Sequence, residues 1–156
     1  MKTSFKYLLA ISIFALLGFA REFIFVNINS RLYSLYYHHN DYLLPTSLSF
    51  LSNFDFDELY YIKYPLTIFC FLTYYFISFF TVKIICKDEK IAYSVFYIYL
   101  ILLVLSGVSI SLGYFINNQI DSYSYTFSRW LMGVAQSPLV AFFMIASKKL
   151  YRNNKI

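Results

Sequence analysis

From residue 65 to residue 82 the chain reads PLTIFCFLTYYFISFFTV, eighteen residues without a charge before Lys83 interrupts it. At a rise of about 1.5 Å per residue, such a run covers most of a ~30 Å hydrocarbon core. It predicts a membrane-spanning helix over residues 65–86. Residues 91–116 form a longer charge-free run of twenty-six residues and predict another. A further apolar run over residues 129–147 begins at Arg129-Trp130, and Pro138 within it predicts a kink or a local loosening. At the amino end, Lys2 and Lys6 precede an apolar stretch that closes on Gly18 and Ala20 just before Arg21. That order fits a cleavable signal peptide, or a retained first span over residues 7–28 with Arg21-Glu22 near its outer end. Apolar sequence resumes at once in Phe23-Ile24-Phe25-Val26, which favours the retained helix. These runs are continuous, where core helices of soluble domains show stripes.

The segments between the runs are polar in different ways. Residues 29–64 carry Tyr33, Tyr36, Tyr37, Tyr42, Tyr60, Tyr61 and Tyr64, a residue type at home where membrane meets water. This segment reads as an external loop lying against the membrane with one or two short helices. Pro45-Thr46-Ser47 would start one, and Asp55 with Glu58 has the spacing of a capping box that opens another. The residue before a proline is biased away from helix, which places the membrane entry at Pro65. Residues 83–90 form a polar turn, and residues 117–128 a second, tyrosine-bearing external loop. The expected fold is an all-α polytopic membrane bundle. It forms one domain over residues 1–156, with four transmembrane helices and a partly helical external loop.

Composition narrows this further. Sixty per cent of the 156 residues are hydrophobic and 13% charged, about half the ordinary charge of a soluble domain. The net charge of +5 does not point to nucleic acid, because the basic residues gather at the ends of the apolar runs. Nine of the thirteen lie in the amino end, the 83–90 turn and the carboxyl tail. By the positive-inside rule these segments, and both termini, are cytoplasmic. Cys70 falls inside a run and Cys86 at the end of one, which argues against a disulfide framework.

Candidate chemistry is sparse. Gly107 and Ser111, and Ser109 and Gly113, are small residues four apart, a spacing that lets helices approach closely in lipid; Gly133 and Ser137 repeat it in the last run. Arg21, Glu22 and Gln136 are the intramembrane polar candidates, since such groups are costly in lipid unless paired. Gln136-Ser137-Pro138 would line a polar pathway in a transporter, or serve helix packing. A thiol nucleophile at Cys70, a base at His38 or His39 and a stabiliser at Arg129 would make an acyl-transfer set, but Phe69 and Phe71 give Cys70 an apolar setting. Adjacent histidines without further ligands at metal spacing do not make a metal site. No catalytic, cofactor-binding or metal-ligating residue is assigned, because phosphate loops, paired catalytic acids and zinc signatures are absent from the sequence.

The stretch Arg21-Glu22-Phe23-Ile24-Phe25-Val26-Asn27-Ile28-Asn29, the tyrosine-rich loop and the four-run layout resemble the small membrane proteins that accompany exosortases in Bacteroidetes. Exosortases are membrane transpeptidases that process proteins with a carboxyl-terminal sorting signal. The resemblance implies a non-enzymatic accessory subunit of a sorting or surface-export system. Membrane lipid and an exosortase-like membrane protein would be its partners, and the bacterial inner membrane its location. The chain does not resemble the transpeptidase itself, whose cysteine precedes its arginine and histidine; here the histidines precede Cys70. A small transporter or channel subunit and a cysteine transpeptidase built on Cys70 are the alternatives.

Overall fold

The computed structural model describes residues 3–38, 44–117 and 122–153, and all regular structure among them is helical. The elements are α1 (Thr3–Tyr36), a 3₁₀ helix (Thr46–Asn53), α2 (Phe56–Cys86), α3 (Glu89–Asn117), α4 (Ser122–Ala135) and α5 (Leu139–Asn153). α1, α2 and α3 are each long and apolar enough to cross a membrane. α4 and α5 pass the same test only together, as a pair bent by 59°. The four apolar runs are therefore three continuous helices and one broken one. Where a kink was expected at Pro138, the helix breaks outright.

Two expected boundaries move. α1 continues past Ile28 to Tyr36, and α2 starts at Phe56 with Pro65 inside it, so much of the expected 29–64 loop is helix. The reason is local. No glycine or proline stands between Phe19 and Leu44 to stop α1. The Asp55 N–H donates to Glu58 Oε2 at 3.1 Å, so the Glu58 half of the capping box is formed and α2 starts nine residues before Pro65. A helix already laid down tolerates the missing proline donor, as membrane helices do. Asp57 and Glu58 also place negative charge in the first turn, where the helix dipole favours it. The 3₁₀ helix opens behind Pro45, where a short helix was expected.

The chain falls into two compact units, Ser12–Cys70 and the remainder. In the first, Ile28 and Leu32 of α1 pack with Leu48 and Leu51 of the 3₁₀ helix and Leu59 of α2, flanked by Phe23, Ile24, Leu35, Phe54 and Ile62. Lys63 Nζ donates to Asn29 Oδ1 at 2.8 Å across the α1–α2 seam.

In the second unit α3 is the central element. Its buried positions Ala92, Val95, Tyr99, Ser106 and Gly113 recur at three-, four- and seven-residue steps, one face of a helix. Against this face α2 sets Phe71, Tyr74, Ser78 and Val82, with ring contacts of 5.4 Å from Tyr99 to both Phe71 and Tyr75. α4 packs on the later half of the same face through Ser128 and Leu131. The outward positions stay apolar, for example Leu16 and Phe19 of α1, Phe69 and Phe80 of α2, and Phe115 and Ile116 of α3. Apolar surface so continuous suits lipid rather than water.

Candidate functional site

Three polar seams and one aromatic face carry what chemistry the described residues have. The first seam joins α2 to α3, where the hydroxyls of Ser78 and Tyr99 share a buried hydrogen bond of 3.0 Å. The second joins α3 to α4. Ser106 and Ser128 share one at 2.6 Å, and Ser109 Oγ donates to the Ser124 carbonyl at 3.0 Å. These serines lie four apart on α4 and three apart on α3, so each pair shares a helix face. In lipid, where apolar contact adds little, such contacts and the short side chains beside them hold helices together.

The small residues singled out by spacing divide between the two sides of α3. Ser109 and Gly113 belong to the packed face. Gly107 and Ser111 lie on the exposed side. A Cβ at Gly107 would meet nothing within 4 Å, and Ser111 Oγ simply donates to the Gly107 carbonyl at 3.0 Å. The seam uses Ser106 in place of Gly107, because one residue is a turn of about 100° around the helix. A Cβ at Gly133 likewise meets nothing within 4 Å. Ser137 sits at the α4–α5 break, donating to the Val134 carbonyl at 2.7 Å and accepting the Leu139 N–H at 3.3 Å. It thereby closes one helix and caps the next, with Pro138 directly before the first residue of α5. Gln136 is buried beside it.

The third seam ties the α2–α3 junction to α5. Lys148 Nζ donates to the Cys86 carbonyl at the end of α2 and lies 3.4 Å from Asp88 Oδ2. Lys87 turns the chain there in the left-handed region, φ 50°. Asp88 accepts the Lys90 N–H at 3.1 Å and so caps α3. Loss of hydration works against the Asp88 carboxylate. The Lys148 ammonium and the N–H groups of Ile91 and Lys90 outweigh that and hold its pKa below the ordinary carboxylate range. Nearby Lys83 pairs with Glu89 at 3.0 Å, and Lys6 donates to the Ile84 carbonyl at 3.3 Å. Lysines near the ends of apolar runs signalled this seam in the sequence, but not which carbonyl they would reach.

The aromatic face belongs to the Ser12–Cys70 unit. Tyr33, Tyr36 and Tyr37 of α1 join Phe56, Tyr60, Tyr61 and Tyr64 of α2 in an unbroken set of ring contacts between 4.6 and 6.5 Å. Every one of these seven side chains is exposed, and Lys63 stands 5.8 Å over the Tyr60 ring. On the same unit, Arg31 has a buried Nε without a hydrogen-bond partner among the described residues.

The remaining candidates are scattered. Arg21 and Glu22 sit near the midpoint of α1 rather than at its outer end, with the Arg21 guanidinium 5.8 Å from the Phe25 ring. Cys70 is half-buried in α2, and Arg21 is the cation whose charge reaches it, not the Arg129 of the expected set. His38 is exposed just beyond the end of α1, at φ 54°, while His39 lies outside the described residues. Both cysteines are free thiols. No group of three or more metal-ligating side chains occurs among the described residues.

The helices define a class, that of proteins with several helices long and apolar enough to span a membrane. Compared with known protein families, with curated proteins and with solved structures, the chain matches none of them.

Proposed function

We propose that this protein is a non-enzymatic accessory subunit that docks a partner membrane protein. The observation that carries the reading is the exposed aromatic face of the Ser12–Cys70 unit. Tyr64, Tyr61 and Tyr60 stand next to the apolar run of α2 and suit the depth of lipid headgroups. Phe56, Tyr36 and Tyr37 lie about 12 Å or more along the helices from the apolar runs, beyond what a headgroup anchor needs. Tyrosine is enriched at the centres of protein interfaces, where its ring buries area at low entropic cost and its hydroxyl finds a partner. The resemblance around Arg21–Asn29 makes an exosortase-type transpeptidase the first partner to try, with the aromatic face external and both termini cytoplasmic.

The test is affinity purification of the tagged full-length protein in mild detergent, with co-purifying proteins identified. Tyr36→Ala combined with Tyr60→Ala is expected to lose the partner while the protein still inserts and remains monodisperse. Retention of the same partner by that double variant would remove the support for this face. Cys70→Ala is expected to leave sorting of a reporter cargo intact; its selective loss in a well-expressed variant would favour the transpeptidase alternative.

A further inference from the structure

We propose that the cleft between the start of α3 and the end of α5 binds one anionic phospholipid of the surrounding membrane. The cleft has a volume of about 600 Å³, within the ~300–1,000 Å³ range of ligand sites. Ile91, Met144 and Tyr151 form its apolar wall, while Lys90, Lys148 and Asp88 make its polar lip. An apolar wall under a cationic lip matches the division within a phospholipid between acyl chain and phosphate.

The charge balance selects the headgroup. Asp88 is engaged by Lys148 and Glu89 by Lys83, so both acids of this end are already paired. Lys87, Lys90 and Lys149 have no acid partner among the described residues. The site is therefore complementary to an anion and indifferent to a zwitterion. Its depth selects a lipid over a soluble phosphate compound. Ile91 is the first residue of the charge-free run of α3, so the floor of the cleft lies where acyl carbon begins. Basic pockets between helices at the cytoplasmic edge of a bilayer hold anionic headgroups for these reasons. Lys148 has a double task here, because it also holds the α2 carboxyl end through the Cys86 carbonyl. Lys90, exposed and free of structural bonds from its ammonium, is the cleaner probe.

The experiment uses purified full-length protein in mild detergent, with phosphatidylglycerol, phosphatidylcholine or glycerol 3-phosphate added. Thermal unfolding and native mass spectrometry are the readouts. Phosphatidylglycerol is expected to raise the melting temperature and to remain bound as one molecule per monomer; the other two compounds do neither. Lys90→Gln should weaken apparent affinity for phosphatidylglycerol about fivefold, the weight of one lysine at an anionic surface. Ser147→Phe keeps the net charge, fills the cleft from its own wall, and should abolish the retained lipid. Lys149→Gln, outside the cleft, should cost clearly less than Lys90→Gln. Equal binding of the two lipids overturns the proposal, as does protection by glycerol 3-phosphate alone. So does an unchanged lipid adduct in Ser147→Phe, which would mean diffuse attraction to the surface. Where Ser147→Phe is not monodisperse, the comparison of Lys90→Gln with Lys149→Gln decides, and equal losses overturn the proposal.

Discussion

Asp88 joins two elements through one carboxylate, which caps α3 and pairs with Lys148 of α5, while Lys148 in turn holds the carboxyl end of α2. Its folded-state pKa lies below that of the unfolded chain, so the carboxylate stabilises the fold fully above the ordinary value near ~3.9. That contribution is lost as pH falls below it, through the folded value. Melting temperature followed from pH 7 down to about pH 3 should therefore drop at the acidic end, and Asp88→Asn should flatten the drop while lowering the neutral plateau. Deep in the same unit, the Ser78–Tyr99 bond is a smaller matter. Tyr99→Phe should cost about 0.6–1 kcal/mol in detergent unfolding, because the Ser78 hydroxyl can turn to a backbone carbonyl of its own helix. Adding Ser78→Ala should cost little more, since the shared bond is already gone. Tyr99 and Ser78 are unremarkable in a run of aromatic residues, and only the facing register of α2 and α3 makes them partners.

At the scale of elements, the α4–α5 pair decides the topology. The two helices are about 21 and 22 Å long, each short of a ~30 Å core. A bend of 59° nevertheless leaves both axes advancing the same way, and tilted equally they extend about 37 Å together. That suffices for a crossing. Reporter fusions after Lys87 and after Ile156 should both read cytoplasmic, and one after Tyr37 external; an external signal at Ile156 would make the pair re-entrant. The break itself is written in residues 136–138, because Ser137 caps α5 and Pro138 stands directly before it. Ser137→Ala should destabilise by about 1 kcal/mol, the usual worth of a cap. The apolar run alone showed a span here. It did not show that two hydrophobic helices of half-length would serve, which depends on how the carbonyls before Pro138 are satisfied in three dimensions.

For the whole molecule, the contrast between Ser106 and Gly107 separates internal packing from external docking. Ser106→Leu forces bulk into the α3–α4 seam and should cost about 1–3 kcal/mol. Gly107→Leu enters open space and should change monomer stability by no more than about 0.5 kcal/mol. In an accessory subunit Gly107→Leu has one further route to harm, which is to block the approach of a partner helix along the Gly107–Ser111 face. Loss of a co-purifying protein with unchanged monomer melting would report that route.

What the residues alone determined is the apolar architecture. Charge-free runs of eighteen residues or more leave few alternatives to helices in lipid, since every backbone donor must then be satisfied within its own segment. The Asp55–Glu58 cap and the start behind Pro45 were legible for the same reason, as each is a bond between near neighbours. Tertiary structure alone decided which small residues form a seam and where Lys148 ends, and it gathered seven aromatic residues from two distant segments into one face. Those outcomes depend on the rotation and register of one helix against another. A uniformly apolar helix carries almost no stripe to set that rotation, so a handful of hydroxyls and ammonium groups sets it instead.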